Sequence, residues 1–298
     1  MMRILALVLS LVSCTKVAAP TSEEPSPGVR VRHLMAVERL VNSHMVDGWV
    51  VSRDGEKPHH LGDSLLWTGL ALGILPCDKA ELPAAALRGM FRELGGGMWR
   101  HPSLPTDASM DGAMGVYWGI ARHQRKCAGE WHSELTAHRE LLRSTGNKLN
   151  RAGSGLLPPG FDYLPPLLDG DTPPDAHKAL LERLVGAWAL ATKLERASCY
   201  RAHLGLLALD AAQVAGQSIS PDAKGFYCLQ TRPMKIPLID HWCGRPGLGE
   251  WVAGFEYNVW EYRHQRCGAW ETADGNGYET PALDLLMGMA YYYGLGER

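Results

Sequence analysis

The stretch His60-Leu61-Gly62-Asp63-Ser64-Leu65-Leu66-Trp67-Thr68-Gly69 decides how the rest of the chain is read. On one reading Ser64 is an exposed nucleophile on a turn after a buried strand. On the other, Gly62-Asp63-Ser64 is the polar entry to an apolar helix, and Asp63 is the residue that matters. The two readings imply different folds and different chemistry.

The serine reading rests on a resemblance of Gly62-Asp63-Ser64-Leu65 to the nucleophile block of GDSL-class esterases, and its context is missing. Residues Asp54 to His60 are too polar for a buried strand. No Asp in the chain is followed three residues later by His, so the base such an enzyme needs is absent, as is a Gly-x-Asn-Asp block for the oxyanion. This reading is disfavoured.

The helix reading accounts for more of the sequence, because its pattern recurs. Asp63 introduces Leu65 to Gly73; Asp107 to Gly112 introduces Ala113 to Gly119; Asp274 to Glu279 introduces Pro281 to Met287. Each time a polar, glycine-bearing turn precedes an apolar helix containing small and aromatic residues. Helical periodicity also predicts helices over 32–46, 81–94, 130–149, 172–196, 200–215, 250–264 and 280–293. Thr172-Pro173-Pro174-Asp175 is a strong helix start. Alternating strand patterns are scarce. The best is Trp49-Val50-Val51, set between the turn dipeptides Asp47-Gly48 and Asp54-Gly55, where a small hairpin fits. The long Gly- and Pro-rich stretch 150–171 reads as a loop. The expectation is an all-α fold in one domain.

Apolar helices entered by polar turns and alternating with more polar ones resemble the (α/α) toroid shared by many polysaccharide lyases and glycoside hydrolases. The segments His60–Leu75, Asp107–His123 and Thr280–Tyr293 carry the resemblance. It implies an all-α, (α/α) toroid-like helical barrel. Fewer helices are read than a complete toroid holds, so an incomplete ring is expected. It further implies that the inner-helix N-termini gather around a cleft, and that the chain cleaves a polysaccharide or oligosaccharide by hydrolysis or elimination. Glycosidases use two carboxyls, one acid and one base; lyases need a base beside a uronate carboxyl. The expected catalytic residues are Asp63, Asp111, His60 and Tyr117, with Asp107 as a cap that frees Asp111. The expected substrate-binding residues are Trp67, Asp107, Trp118, His241, Tyr278 and Glu279, and His59 lies beside them. Simple helix capping by Asp63 and Asp111 competes evenly with function. A non-catalytic envelope protein that binds glycan or a protein partner is the alternative of a different class.

The ends and composition fix the setting. The 298 residues are 46% hydrophobic and 21% charged, as expected for a globular protein with a core. The net charge of -2, without a basic stripe, argues against a nucleic-acid partner. Ten Trp and ten Tyr against four Phe favour aromatics with a polar handle. The apolar run Ile4–Val12 is too short to span a bilayer. It ends in Leu11-Val12-Ser13-Cys14, which resembles a bacterial lipobox and implies cleavage before Cys14 and lipidation of its sulfur. The expected organisation is a signal peptide over 1–13, a lipidated tether over 14–29 and one helical domain over 30–298. An ordinary secretory signal is the other option. Export makes the six remaining cysteines candidates for disulfides, with Cys77–Cys127 and Cys243–Cys267 the expected pairs. A lone Glu261-x-x-His264 and the Gly95-Gly96-Gly97 turn lack the partners of a metal or phosphate site, so no metal or cofactor is expected.

Overall fold

Residues 24–54, 57–59, 64–99, 101–103, 110–145, 197–254 and 283–295 are described by a computed structural model. Two helices in it, α2 (Ser64–Ile74) and α4 (Met110–Cys127), touch backbone to backbone. A Cβ placed on Gly69 would lie 2.5 Å from the Gly115 carbonyl oxygen, and one on Gly115 would lie 2.7 Å from that of Leu66. Gly73, one turn further along α2, faces the ring of Trp118. Residue numbers rise together on both helices, so the pair runs parallel. Lys126 closes the far end by donating to the carbonyls of Gly73 (3.1 Å) and Leu75 (2.5 Å). These carbonyls lie at the negative end of α2, where a cation is favoured. The expected apolar helix is therefore real: every residue of α2 is buried.

Two short antiparallel hairpins precede α2. In the first, β1 (Met45–Val46) pairs with β2 (Trp49–Val50); Asp47 and Gly48 both have positive φ, as a tight hairpin turn requires. In the second, β3 (Ser52–Asp54) pairs with β4 (Lys57–His59). The first hairpin docks on α2. The Val50 amide donates to Thr68 Oγ1 at 2.9 Å, and the Ser64 hydroxyl donates to the Val50 carbonyl. Ahead of it, α1 (Pro27–Ser43) starts with Ser26 capping the Val29 amide and Pro27 in the first turn. It begins three residues inside the expected tether and ends before the hairpin, not at Val46.

Burial separates two kinds of helix. In α2, in α4 from Asp111 to His123 and in α6 (Ala197–Val214) from Ala202 to Ala212, all residues are buried. The last helix, α10 (Leu283–Tyr293), is buried from Leu285 to Ala290. By contrast α3 (Cys77–Glu93) and α5 (His132–Thr145) each bury one stripe, Ala80-Ala84-Leu87-Phe91 and Leu135-His138-Leu142. The buried helices pack in the order α10-α2-α4-α6, with α3 against α2 and α5 against α3. The fold is mainly α, as the sequence implies. No described helix is long and apolar enough to cross a membrane.

The expected Cys77–Cys127 disulfide is present and ties the start of α3 to the end of α4. The expected Cys243–Cys267 pair is corrected: Cys243 bonds Cys228 instead. The reason is a tight helical hairpin that the sequence reading missed. α7 (Pro221–Thr231) passes through a 3-10 turn (Arg232–Met234) into α8 (Pro237–Trp242), returning the chain to α7 within 15 residues. Arg245 locks it by pairing with Asp240 (2.5 Å) and donating to the Cys228 carbonyl (2.8 Å). A short α9 (Leu248–Gly254) follows. The helix expected over 172–196 and the loop over 150–171 lie outside the described residues.

Candidate functional site

Asp111 occupies the first turn of α4 and is only 7% exposed. No hydrogen bond or ion pair ties its carboxylate to the described residues, and its oxygens are not among the buried polar atoms left without a partner, so they keep contact with solvent. It precedes Gly115 by four positions, so it shares the helix face that meets α2. Leu66 is level with Gly115. One turn back, Asp111 is therefore level with the start of α2, where Ser64 and the first hairpin meet. The chain enters α4 through 104–109 and α2 through 60–63. His60, Asp63, Asp107, Tyr278, Glu279 and Cys14 lie outside the described residues, as does the side chain of His59.

The other buried polar groups of these helices show what the fold does when a side chain serves structure. Ser64 is fully buried and spends its hydroxyl on the Val50 carbonyl. Among the described residues it meets no base, which a nucleophilic serine needs within reach. Tyr117 is fully buried, and its hydroxyl lies 2.5 Å from His138 Nε2. His138 Nδ1 lies 2.5 Å from the Gly96 carbonyl, which can only accept, so the proton is on Nδ1 and Tyr117 donates to Nε2. Gly96 has φ +94°, and a Cβ there would strike the Ala137 backbone, so the glycine turn is a docking point for α5.

Burial holds the His138 pKa down to about 4, against a small opposing pull from the Gly96 carbonyl. Below pH 6.5 the unfolded chain takes a proton that the folded chain refuses, so stability falls as pH drops towards 4 and levels off beneath it. The loss expected from this group is about 3 kcal/mol. Burial also lowers the pKa of His33, His101, His123 and His241, which act in the same direction. Denaturant unfolding between pH 7 and pH 4 measures the slope. In His138→Asn it is expected to be shallower by up to about 1.4 kcal/mol per pH unit; an unchanged slope would assign the acid sensitivity elsewhere.

Trp118 is fully buried between α2 and α6. Its ring covers Gly73, and its indole N–H donates to Asp210 Oδ2 at 2.7 Å. Arg122 donates to the same oxygen at 3.3 Å. Its guanidinium lies between the rings of Trp118 and Tyr291, 4.9 and 5.0 Å from their centroids. Burial, and next the charge of Asp210, push the Tyr291 pKa well above the usual phenol value, so the phenol stays neutral. Arg122, Asp210 and Tyr291 were not singled out in the sequence. The one signal was Asp210, an acid isolated in an apolar helix; Arg122 begins the polar run 122–126 and does not stand out.

This cluster joins the later turns of α4, α6 and α10. Arg122 lies eleven residues beyond Asp111, about 16 Å along the helix. His241 belongs to the same end: its Nε2–H donates to the Tyr291 carbonyl at 3.1 Å, and its ring meets that of Tyr292. The structure thus places Trp67, in the first turns of α2, at the end where Asp111 lies. Tyr117 and Trp118 are in the core between the ends, and His241 is at the far end. No group of three or more metal-ligating side chains occurs among the described residues. Compared with protein-family models, with curated proteins and with solved structures, the chain matches none.

Proposed function

We propose that the chain is an exported, lipid-anchored protein built on an incomplete (α/α) toroid, and that it cleaves a polysaccharide at the N-terminal end of its inner helices. Asp111 carries this reading: a nearly buried side chain at the entrance of a core helix, on the face turned to α2, whose carboxylate is bound to none of the described residues. A carboxylate at this place suits a base or a group that steadies positive charge in the sugar. Asp63 directly precedes α2 in the chain and is the natural second carboxyl. The parallel α2–α4 pair and the inner and outer burial classes support the toroid. Two disulfides support an oxidising compartment.

The test is digestion of neutral, amino-sugar and uronic-acid glycans, following new reducing ends and unsaturated uronates. Asp111→Asn and Asp63→Asn are each expected to lower the rate at least about 100-fold. Reducing ends alone would mark a hydrolase, and unsaturated uronates a lyase. Undiminished cleavage by both variants would remove the acids from the mechanism.

A second reading is a glycan-binding envelope protein without catalysis. One observation favours it: Tyr117, the expected acid or base, is committed to His138. It predicts retention of a glycan without product.

A further inference from the structure

Helix α1 is apolar on two opposite sides. His33, Ala36, Val37 and Leu40 face the core. Val31, Leu34 and Met35 stand on the other side at 55%, 59% and 51% exposure. Positions i, i+3 and i+4 lie together on a helix, so the three form one patch over two turns. The other large exposed apolar residues among the described ones are split between α3 (Leu82) and α7 (Phe226, Leu229). An exposed cluster of this kind marks a contact surface.

We infer that this outer face of α1 lies in the interfacial layer of a lipid bilayer. The inference rests on the reading of Cys14 as the lipidated residue. Cys14 and Pro27 are 27 − 14 = 13 residues apart. At about 3.5 Å per residue the tether reaches at most about 45 Å, so a lipid on Cys14 keeps α1 close to the bilayer. The first turns of α1 carry Arg30 and Arg32, but Arg30 pairs with Glu24 at 3.4 Å and Arg32 donates to the Ala253 carbonyl at 3.3 Å, so the contact proposed is the apolar one. A second, apolar contact strengthens a lipid anchor that by itself binds reversibly. A second copy of the chain is a poor occupant. Two helical turns offer far less than the roughly 800 Å² per partner of a standard interface.

The test uses the full chain, expressed in a bacterium with its own leader and carrying the photo-crosslinker p-benzoylphenylalanine. Leu34→p-benzoylphenylalanine is compared with Leu82→p-benzoylphenylalanine on α3. Both sites are exposed, so the folded chain accommodates them. Mass spectrometry reads phospholipid adducts at each site and, separately, acylation of the Cys14 peptide. The expected result is at least about tenfold more phospholipid adduct at position 34 than at 82. No excess at 34 in an acylated chain, or adducts only to protein, overturns the membrane contact and leaves the anchor standing. An excess at 34 without acylation keeps the contact and removes the anchor. Neither signal removes both.

Discussion

Joining Gly69→Ala to Gly119→Ala is expected to leave no stably folded protein at 37 °C. Both glycines lie where α2 and α4 meet, and what an added Cβ would strike is backbone. At Gly69 the obstacle is the Gly115–Val116 peptide; at Gly119 it is the carbonyl of Gly69. A side chain can swing away from an intruding methyl, but a helical peptide cannot. The helices would have to separate along their length and open the core they share with α6. Overpacking costs about 1–3 kcal/mol per site where neighbours can shift. Two sites on one rigid seam exceed that, against a total stability of about 5–15 kcal/mol. Circular dichroism against temperature gives the answer. Gly89→Ala is the control: nothing lies within 4 Å of its added Cβ, and it sits inside α3. There the better helix former is expected to add about 0.5–1 kcal/mol. A double variant melting within a few degrees of the parent would mean that the seam is not close-packed.

Arg122→Ala is expected to cost about 3–5 kcal/mol, because it strands the Asp210 carboxylate in the core. Both members of the pair are buried, and one oxygen of Asp210 receives both Arg122 and the Trp118 indole. Without the guanidinium the carboxylate keeps a neutral donor but loses its countercharge, and Tyr291 loses the cation beside its ring. Removing both charges together has a different outcome. Arg122→Met with Asp210→Leu replaces a costly ion pair by apolar contacts, and such exchanges are neutral or stabilising. Chemical denaturation of the single and double variants forms a cycle. Similar losses in the two would show that the charges matter beyond their mutual attraction.

The helices were legible where a pattern was repeated within the chain. The apolar blocks after Asp63 and Asp111 are periodic, rich in glycine and free of strand signals, and they became α2 and α4. Their glycines indicated small residues; that they form one seam became visible only when α2 was set beside α4. The hairpin around Asp47-Gly48 was legible in its turn, while its pairing depended on docking to Thr68 and Ser64 of α2. α8 was missed because it is only six residues long, and α7 because its apolar residues, Phe226, Tyr227 and Leu229, form no clear stripe. That hairpin redirected Cys243 from Cys267 to Cys228. In the candidate site, Asp111 was read as freed from capping, and the structure places it in the first turn of α4, nearly buried. Tyr117 and Trp118 were drawn towards the site by their residue type. Their periodicity could not reveal that His138 and Asp210, from distant helices, take their polar atoms.

The central claim is that the fold holds the Asp111 carboxylate for a ligand rather than for its own stability. The measurement that tests it most directly is the unfolding free energy of Asp111→Ala beside the parent chain. If the carboxylate is kept for a ligand, the free chain loses nothing with it, and the variant is as stable as the parent or up to about 1 kcal/mol more stable. If Asp111 is a helix cap, the same change loses about 1 kcal/mol, and the account of this site is wrong.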